Sequence, residues 1–259
     1  MNPGAIDLQL LAPAFVAGLL VLATHVPLGA QVLQRGIVFI DLAIAQIAAL
    51  GVIVASLGDA DPRGWTVQVA AAIAALLGAL LLTWTEKRWP KVQEAQIGTL
   101  FILAATGGIL LLAHNPHGGE HLRDLLAGQI LWVGWPQLVL PALGAVVIVA
   151  LLWGMGGRLG RVGFYLVFAL AVTASVQLVG VYLVFASLII PSLATRNRES
   201  RTRLPLAYAI GAAGYAAGLV LSSLFDLPSG ALIVWCLAGL AIVAYAFGPA
   251  DNVDVVGHY

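Results

Sequence analysis

Nine long stretches of this chain carry little or no charge: 11–33, 36–57, 65–85, 97–113, 130–153, 162–178, 179–195, 204–224 and 228–247. About 20 apolar residues are needed to cross roughly 30 Å of hydrocarbon, and a segment in that layer must satisfy its own backbone hydrogen bonds. The pattern predicts an all-α polytopic membrane bundle of about nine spans. The count falls to eight if the sixth and seventh runs, which are contiguous and marked by Gly180 and Pro191, form one bent element.

Composition supports this reading. Hydrophobic residues make up 61% of the 259 and charged residues 9%, whereas a soluble domain carries roughly a quarter charged residues. A water-soluble enzyme, a disordered chain and a nucleic-acid binder with a basic face are excluded. One cysteine, Cys236, leaves no internal disulfide and no all-cysteine metal site. Nothing basic precedes the first apolar run, which is too long for a signal core, so a cleavable signal peptide is not expected. The chain reads as a single transmembrane domain, 1–259, with a short polar tail at 248–259.

The cations give the orientation. With the N-terminus outside and nine spans, the inner segments hold Arg35, Lys87, Arg88, Lys91, Arg158, Arg161, Arg196, Arg198, Arg201 and Arg203, and the outer segments hold Arg63 and Arg123. Lys and Arg accumulate in cytoplasmic loops, so the asymmetry predicts N-outside, C-cytoplasmic. Trp65, Trp84, Trp89, Trp132, Trp135 and Trp153 fall at the span ends, where an amphipathic ring suits the interface. Small residues such as Ala70 to Ala75 and Gly211, Gly214 and Gly218 allow close helix packing where lipid supplies no hydrophobic push.

Asp41 is the one formally charged residue inside these boundaries. A charge at membrane depth is costly and faces protein or a water-filled path, so it is a candidate for the translocation path or for a structural hydrogen bond near the inner interface. Arg35 lies about 9 Å away if both sit on one helix. Gln46, the other candidate for the path, is placed about 140° round the helix from Asp41, which does not favour a shared ligand. Gln129 and Gln177, near span ends, read as interhelical hydrogen-bonding groups. His114, His117, Glu120 and His121 cluster in HNPHGGEH after the fourth span. Their nitrogen and carboxylate donors suit a transition metal, and a solvated polar loop is the bland alternative. His25, beside Pro27, is a second metal candidate.

Other chemistry is missing. GMGGRLGRVG (154–163) lacks the spacing and the lysine–hydroxyl pair of a phosphate-binding loop, no HExxH occurs, and Ser229 has no histidine partner in the pattern. The chain is not expected to be an enzyme. Any ATP would be hydrolysed on another chain.

Three segments resemble the membrane permeases of zinc- and manganese-type ATP-binding-cassette importers: RGIVFIDLAIAQIAALGV (35–52), VGVYLVFASLIIPSLATR (179–196) and FDLPSGALIV (225–234), with EAQIGTL (94–100) as a weaker match. The resemblance implies a multi-pass protein of a bacterial inner or plasma membrane, working as a homodimer or pseudo-dimer by alternating access. It implies a cytoplasmic ATPase subunit that binds ATP and an extracytoplasmic metal-binding protein. It implies no permanent cofactor, the divalent metal being cargo, with zinc first and manganese second. Two departures stand out. Members commonly carry an Asp and a His four residues apart at the start of the second helix; here Asp41 is followed by Ala45, with Gln46 the nearest polar group. The inner segment that forms the family's coupling helix is also cut to roughly GGRLGRVG (156–163), which makes Arg158, Arg161 and Arg196 candidates for ATPase coupling. Alternatives are an importer of iron or a metal chelate, a stand-alone ion-coupled carrier, and a non-transporting membrane scaffold.

Overall fold

A computed structural model describes residues 8–56, 64–113, 126, 128, 130–154 and 160–247, with the side chain of residue 200 left out. Among them are nine α-helices and no strand: α1 (Leu8–Arg35), α2 (Ile40–Ser56), α3 (Trp65–Arg88), α4 (Gln93–Leu112), α5 (Trp135–Gly154), α6 (Arg161–Val179), α7 (Val181–Ala194), α8 (Ser200–Phe225) and α9 (Ser229–Ala246). All but α2 and α7 are long and apolar enough to cross a membrane. At 1.5 Å per residue α7 reaches only about 21 Å.

The contiguous sixth and seventh runs are two helices. Gly180 separates them with φ 84°, a left-handed backbone that a Cβ would strain. Its amide donates back to the Val176 carbonyl and its carbonyl accepts from Val184, so one residue both ends α6 and starts α7. The chain reverses there. Phe164 near the start of α6 lies under Arg35 at the end of α1, and Ser192 near the end of α7 donates to the Val26 carbonyl of α1. Both ends therefore point to the same side of the bundle.

Helices α1, α2, α6 and α7 form the interior, with α3 and α8 packed on them. Two-thirds of the apolar window of α6 is buried (67%), against 11% for α9, so α9, and to a lesser extent α5 and α4, present most of their surface outward. Close approach is set by small residues. A Cβ at Gly29 of α1 would collide with the Leu188 carbonyl of α7, and one at Gly51 of α2 would press on the Ala70 carbonyl of α3. Pro27 removes the amide that would have capped the Ala23 carbonyl; the Tyr208 hydroxyl of α8 donates to that carbonyl at 3.2 Å. A freed backbone group in the membrane thereby becomes an interhelical bond.

The cation-rich segments meet at one end, where α1, α3, α7 and α9 finish and α2, α4, α6 and α8 begin. Arg161 pairs with Glu86 at 3.2 Å, and the Arg198 guanidinium donates to the carbonyls of Ala244 and Phe247. The six tryptophans at span ends are all exposed. The expected charge-free spans lengthen at this end, where Arg35, Lys87, Arg88, Arg161, Arg201 and Arg203 also fall within helices. Helix α3 continues to Arg88, and the inner approach to α4 is helical from Gln93, so Glu86 and Glu94 lie in helix and are half-buried. The polar tail at 248–259 lies outside the described residues.

Candidate functional site

Asp41 owes its position to a tight turn. Helix α1 ends at Arg35 with Gly36 at φ 68°; the Gly36 amide bonds the Leu33 carbonyl and the Ile37 amide bonds the Val32 carbonyl. This is the double closure of a glycine-capped helix end. Five residues later α2 is under way, with Asp41 in its first turn. Glu94 of α4 accepts the Phe39 amide at 3.2 Å, so a carboxylate from a neighbouring helix satisfies one amide just ahead of α2.

The Asp41 side chain is fully buried, and neither carboxylate oxygen has a hydrogen-bond partner among the described residues. Arg35 does not supply one. The turn at Gly36 breaks the helix between them, which removes the straight 9 Å separation expected from the sequence, and the Arg35 guanidinium instead sits 4.0 Å from the centre of the Phe164 ring. The positive end of the α2 dipole offsets part of the cost of an anion in its first turn.

Gln46 lies about one and a half turns further along α2 and points elsewhere. With Leu42 it lines a cavity of about 300 Å³ between α2, α4 and α7, completed by Phe101, Ala105, Ile109, Leu126, Val181, Tyr182 and Phe185. Its polar side chains are Gln46 and Tyr182. Asp41 is not part of its wall, in keeping with the 140° separation. Tyr182 was not singled out in the sequence, although it lies inside the 179–196 motif and is the one hydroxyl-bearing aromatic there.

A second polar cluster, also unforeseen, stitches α3, α4 and α6. The Gln93 amide donates to the Leu82 carbonyl at 3.1 Å and to the Tyr165 hydroxyl at 3.3 Å, and Thr85 donates to Gln93 Oε1 at 3.4 Å. Glu86 and Arg161 border it. Arg161, a coupling candidate, is thus already engaged, and Arg196 lies 5.7 Å from the Tyr245 ring. Arg158, Gln129 and the cluster His114, His117, Glu120 and His121 lie outside the described residues. Gln177 is exposed at the end of α6. His25 is buried, with Nδ1 2.9 Å from Thr24 Oγ1 and 3.0 Å from the Val21 carbonyl, and with Nε2 without a partner. Among the described residues no three His, Cys, Asp or Glu side chains converge as a metal-holding group.

Membrane-length helices around an unpartnered acid and a mostly apolar cavity describe a multi-span helical membrane protein. The model of the ABC 3 transport family matches residues 7–155 and 154–248, and the chain belongs to that family. It is 26% identical over 94% of its length to the manganese transport system membrane protein MntC of Halalkalibacterium halodurans, covering 89% of that protein. It is 22% identical over 91% of its length to the high-affinity zinc uptake system membrane protein ZnuB of Haemophilus influenzae, covering 97% of it. Its fold matches a chain of PsaBC from Streptococcus pneumoniae, solved in complex with Fab, with a TM-score of 0.78 at 20% identity, covering 96% of this chain and 97% of that one.

Proposed function

We propose that the protein is the permease subunit of an ATP-driven importer that moves a divalent metal, zinc or manganese, across a bacterial cell membrane by alternating access. The family match from residue 7 to residue 248 carries this reading, supported by relatives named for manganese and for zinc. ATP is hydrolysed on a separate cytoplasmic ATPase, an extracytoplasmic binding protein delivers the cargo, and two permease copies or a pseudo-dimer form the path. The cation-rich end faces the cytoplasm, which puts the N-terminus outside. Asp41 is the cargo-facing acid: a buried carboxylate with both oxygens open can exchange lost hydration for a passing cation. Arg158 and Arg196 remain the coupling candidates, with Arg161 held back by Glu86. The loop bearing His114, His117, Glu120 and His121 concentrates metal at the outer mouth.

One observation favours a second cargo form. The cavity at Gln46 is walled mostly by apolar side chains, which suits an iron or other metal carried as a chelate better than a bare ion.

The test is reconstitution of the chain with its copurified ATPase in liposomes and measurement of ATP-dependent uptake of zinc, manganese and chelated iron. Uptake of a bare divalent ion, lost in Asp41→Asn at unchanged protein abundance, supports the first reading. Uptake of the chelate alone supports the second. Uptake driven by an ion gradient with no ATPase present would refute both.

A further inference from the structure

The turn joining α3 to α4 carries a cluster of cations and tryptophans that the proposed path through Asp41 leaves unexplained. Helix α3 exposes a stripe at helical spacing, Val69, Ile73, Leu77 and Leu81, bounded by exposed Trp65 and Trp84. The two rings are separated by about 28 Å of helix, close to the roughly 30 Å of a hydrocarbon layer. The stripe is long enough to cross that layer, with Trp84 at its cation-rich end.

Just beyond Trp84 the chain exposes Lys87, Arg88 and Lys91. Trp89 meets Trp84 edge-on with ring centres 5.4 Å apart, and the Arg88 guanidinium lies 5.7 Å from the Trp89 ring centre. The neighbouring acids turn inward, Glu86 to Arg161 and Glu94 to the Phe39 amide. Three cations and a tryptophan pair thus sit together at one end of the exposed apolar stripe.

We infer that this turn binds the headgroup of an anionic phospholipid. Lys87, Arg88 and Lys91 hold the phosphate, since a guanidinium fork and ammonium groups match phosphate oxygens, and the acyl chains run along the α3 stripe past Trp84. A docked ATPase would need a surface beyond the headgroups. The tryptophan pair and the stripe place this one against lipid.

The full-length protein, purified in mild detergent, would be titrated with phosphatidylglycerol bearing brominated acyl chains, and in parallel with phosphatidylcholine bearing the same chains, while tryptophan fluorescence is followed. Subtracting the signal of a Trp84→Phe, Trp89→Phe variant isolates this turn. The expected result is quenching by the anionic lipid at concentrations at least about tenfold lower, given the attraction of each basic residue to an anionic surface, with the preference shrinking as salt rises. Changing Lys87, Arg88 and Lys91 together to Gln should abolish the preference. Equal quenching by the two lipids overturns the inference, as does a preference that survives the triple change. A triple variant that loses its copurifying ATPase while keeping the lipid preference would make the patch a protein-docking surface instead. If that variant does not fold, the comparison of wild type with the double tryptophan variant decides alone.

Discussion

Two carboxylates enter the bundle from the same end and are treated in opposite ways. Glu86, near the end of α3, is half-buried and paired with Arg161 at 3.2 Å, at the border of the Gln93–Tyr165–Thr85 cluster. Asp41, at the start of α2, is fully buried with both oxygens unpartnered among the described residues. Glu86 keeps one partner where it stands, Arg161 on Oε1, while its buried Oε2 has none among the described residues. Asp41 has none on either oxygen, and an unpaired buried charge costs several kcal/mol. One left open at that cost points to a partner that comes and goes. The paired acid is architecture and the open acid is the candidate for transport.

Asp41→Asn gives the strongest test of that contrast. The amide keeps the shape and loses the charge, so ATP-dependent metal uptake should fall by roughly tenfold to a hundredfold, the worth of a hydrogen bond or contact to a charged group. Thermal stability in detergent should hold, because neither carboxyl oxygen has a hydrogen bond to lose. Normal uptake, or a variant that unfolds, would break the comparison. Next in size is Gln46→Leu combined with Tyr182→Phe, which strips the polar groups from the 300 Å³ cavity. If cargo passes there, the half-saturating concentration should rise by roughly fivefold to thirtyfold, about one neutral hydrogen bond for each lost group. If it is unmoved while Asp41→Asn is dead, the path runs by Asp41 and bypasses the cavity.

The helices, the outward tryptophans and the clustering of cations at one end were legible because each rests on local composition: length without charge, rings at span ends, Lys and Arg in alternate loops. The divergence of Asp41 and Gln46 was also legible, since it follows from helical spacing alone. The Glu86–Arg161 pair and the Gln93–Tyr165 bond were not. Their partners are 75 and 72 residues apart in the chain, and no local pattern reveals which helices α3 and α4 meet. Arg35 misled for a related reason. Its spacing from Asp41 assumed one helix, whereas Gly36 ends that helix and leaves the guanidinium on Phe164.

The paired cluster should respond in the reverse sense to Asp41. Gln93→Leu removes the bonds to Leu82 and Tyr165. Polar contacts between membrane helices are worth about 0.6 kcal/mol on average and up to about 1.7, so unfolding in detergent should move to lower temperature while uptake per folded molecule stays normal. The smallest effect falls on Glu86→Gln. Arg161 is about half exposed, with 48% of its side-chain surface accessible, and water screens a pair of that kind to about 0–1 kcal/mol. The neutral amide can still accept from Arg161, so the stability change should be slight and should shrink further in high salt. Uptake should not change. A large loss of uptake in Glu86→Gln, measured at equal abundance, would mean that the charge of this acid also serves the transport cycle. Pairing would then no longer separate the structural carboxylate from the working one.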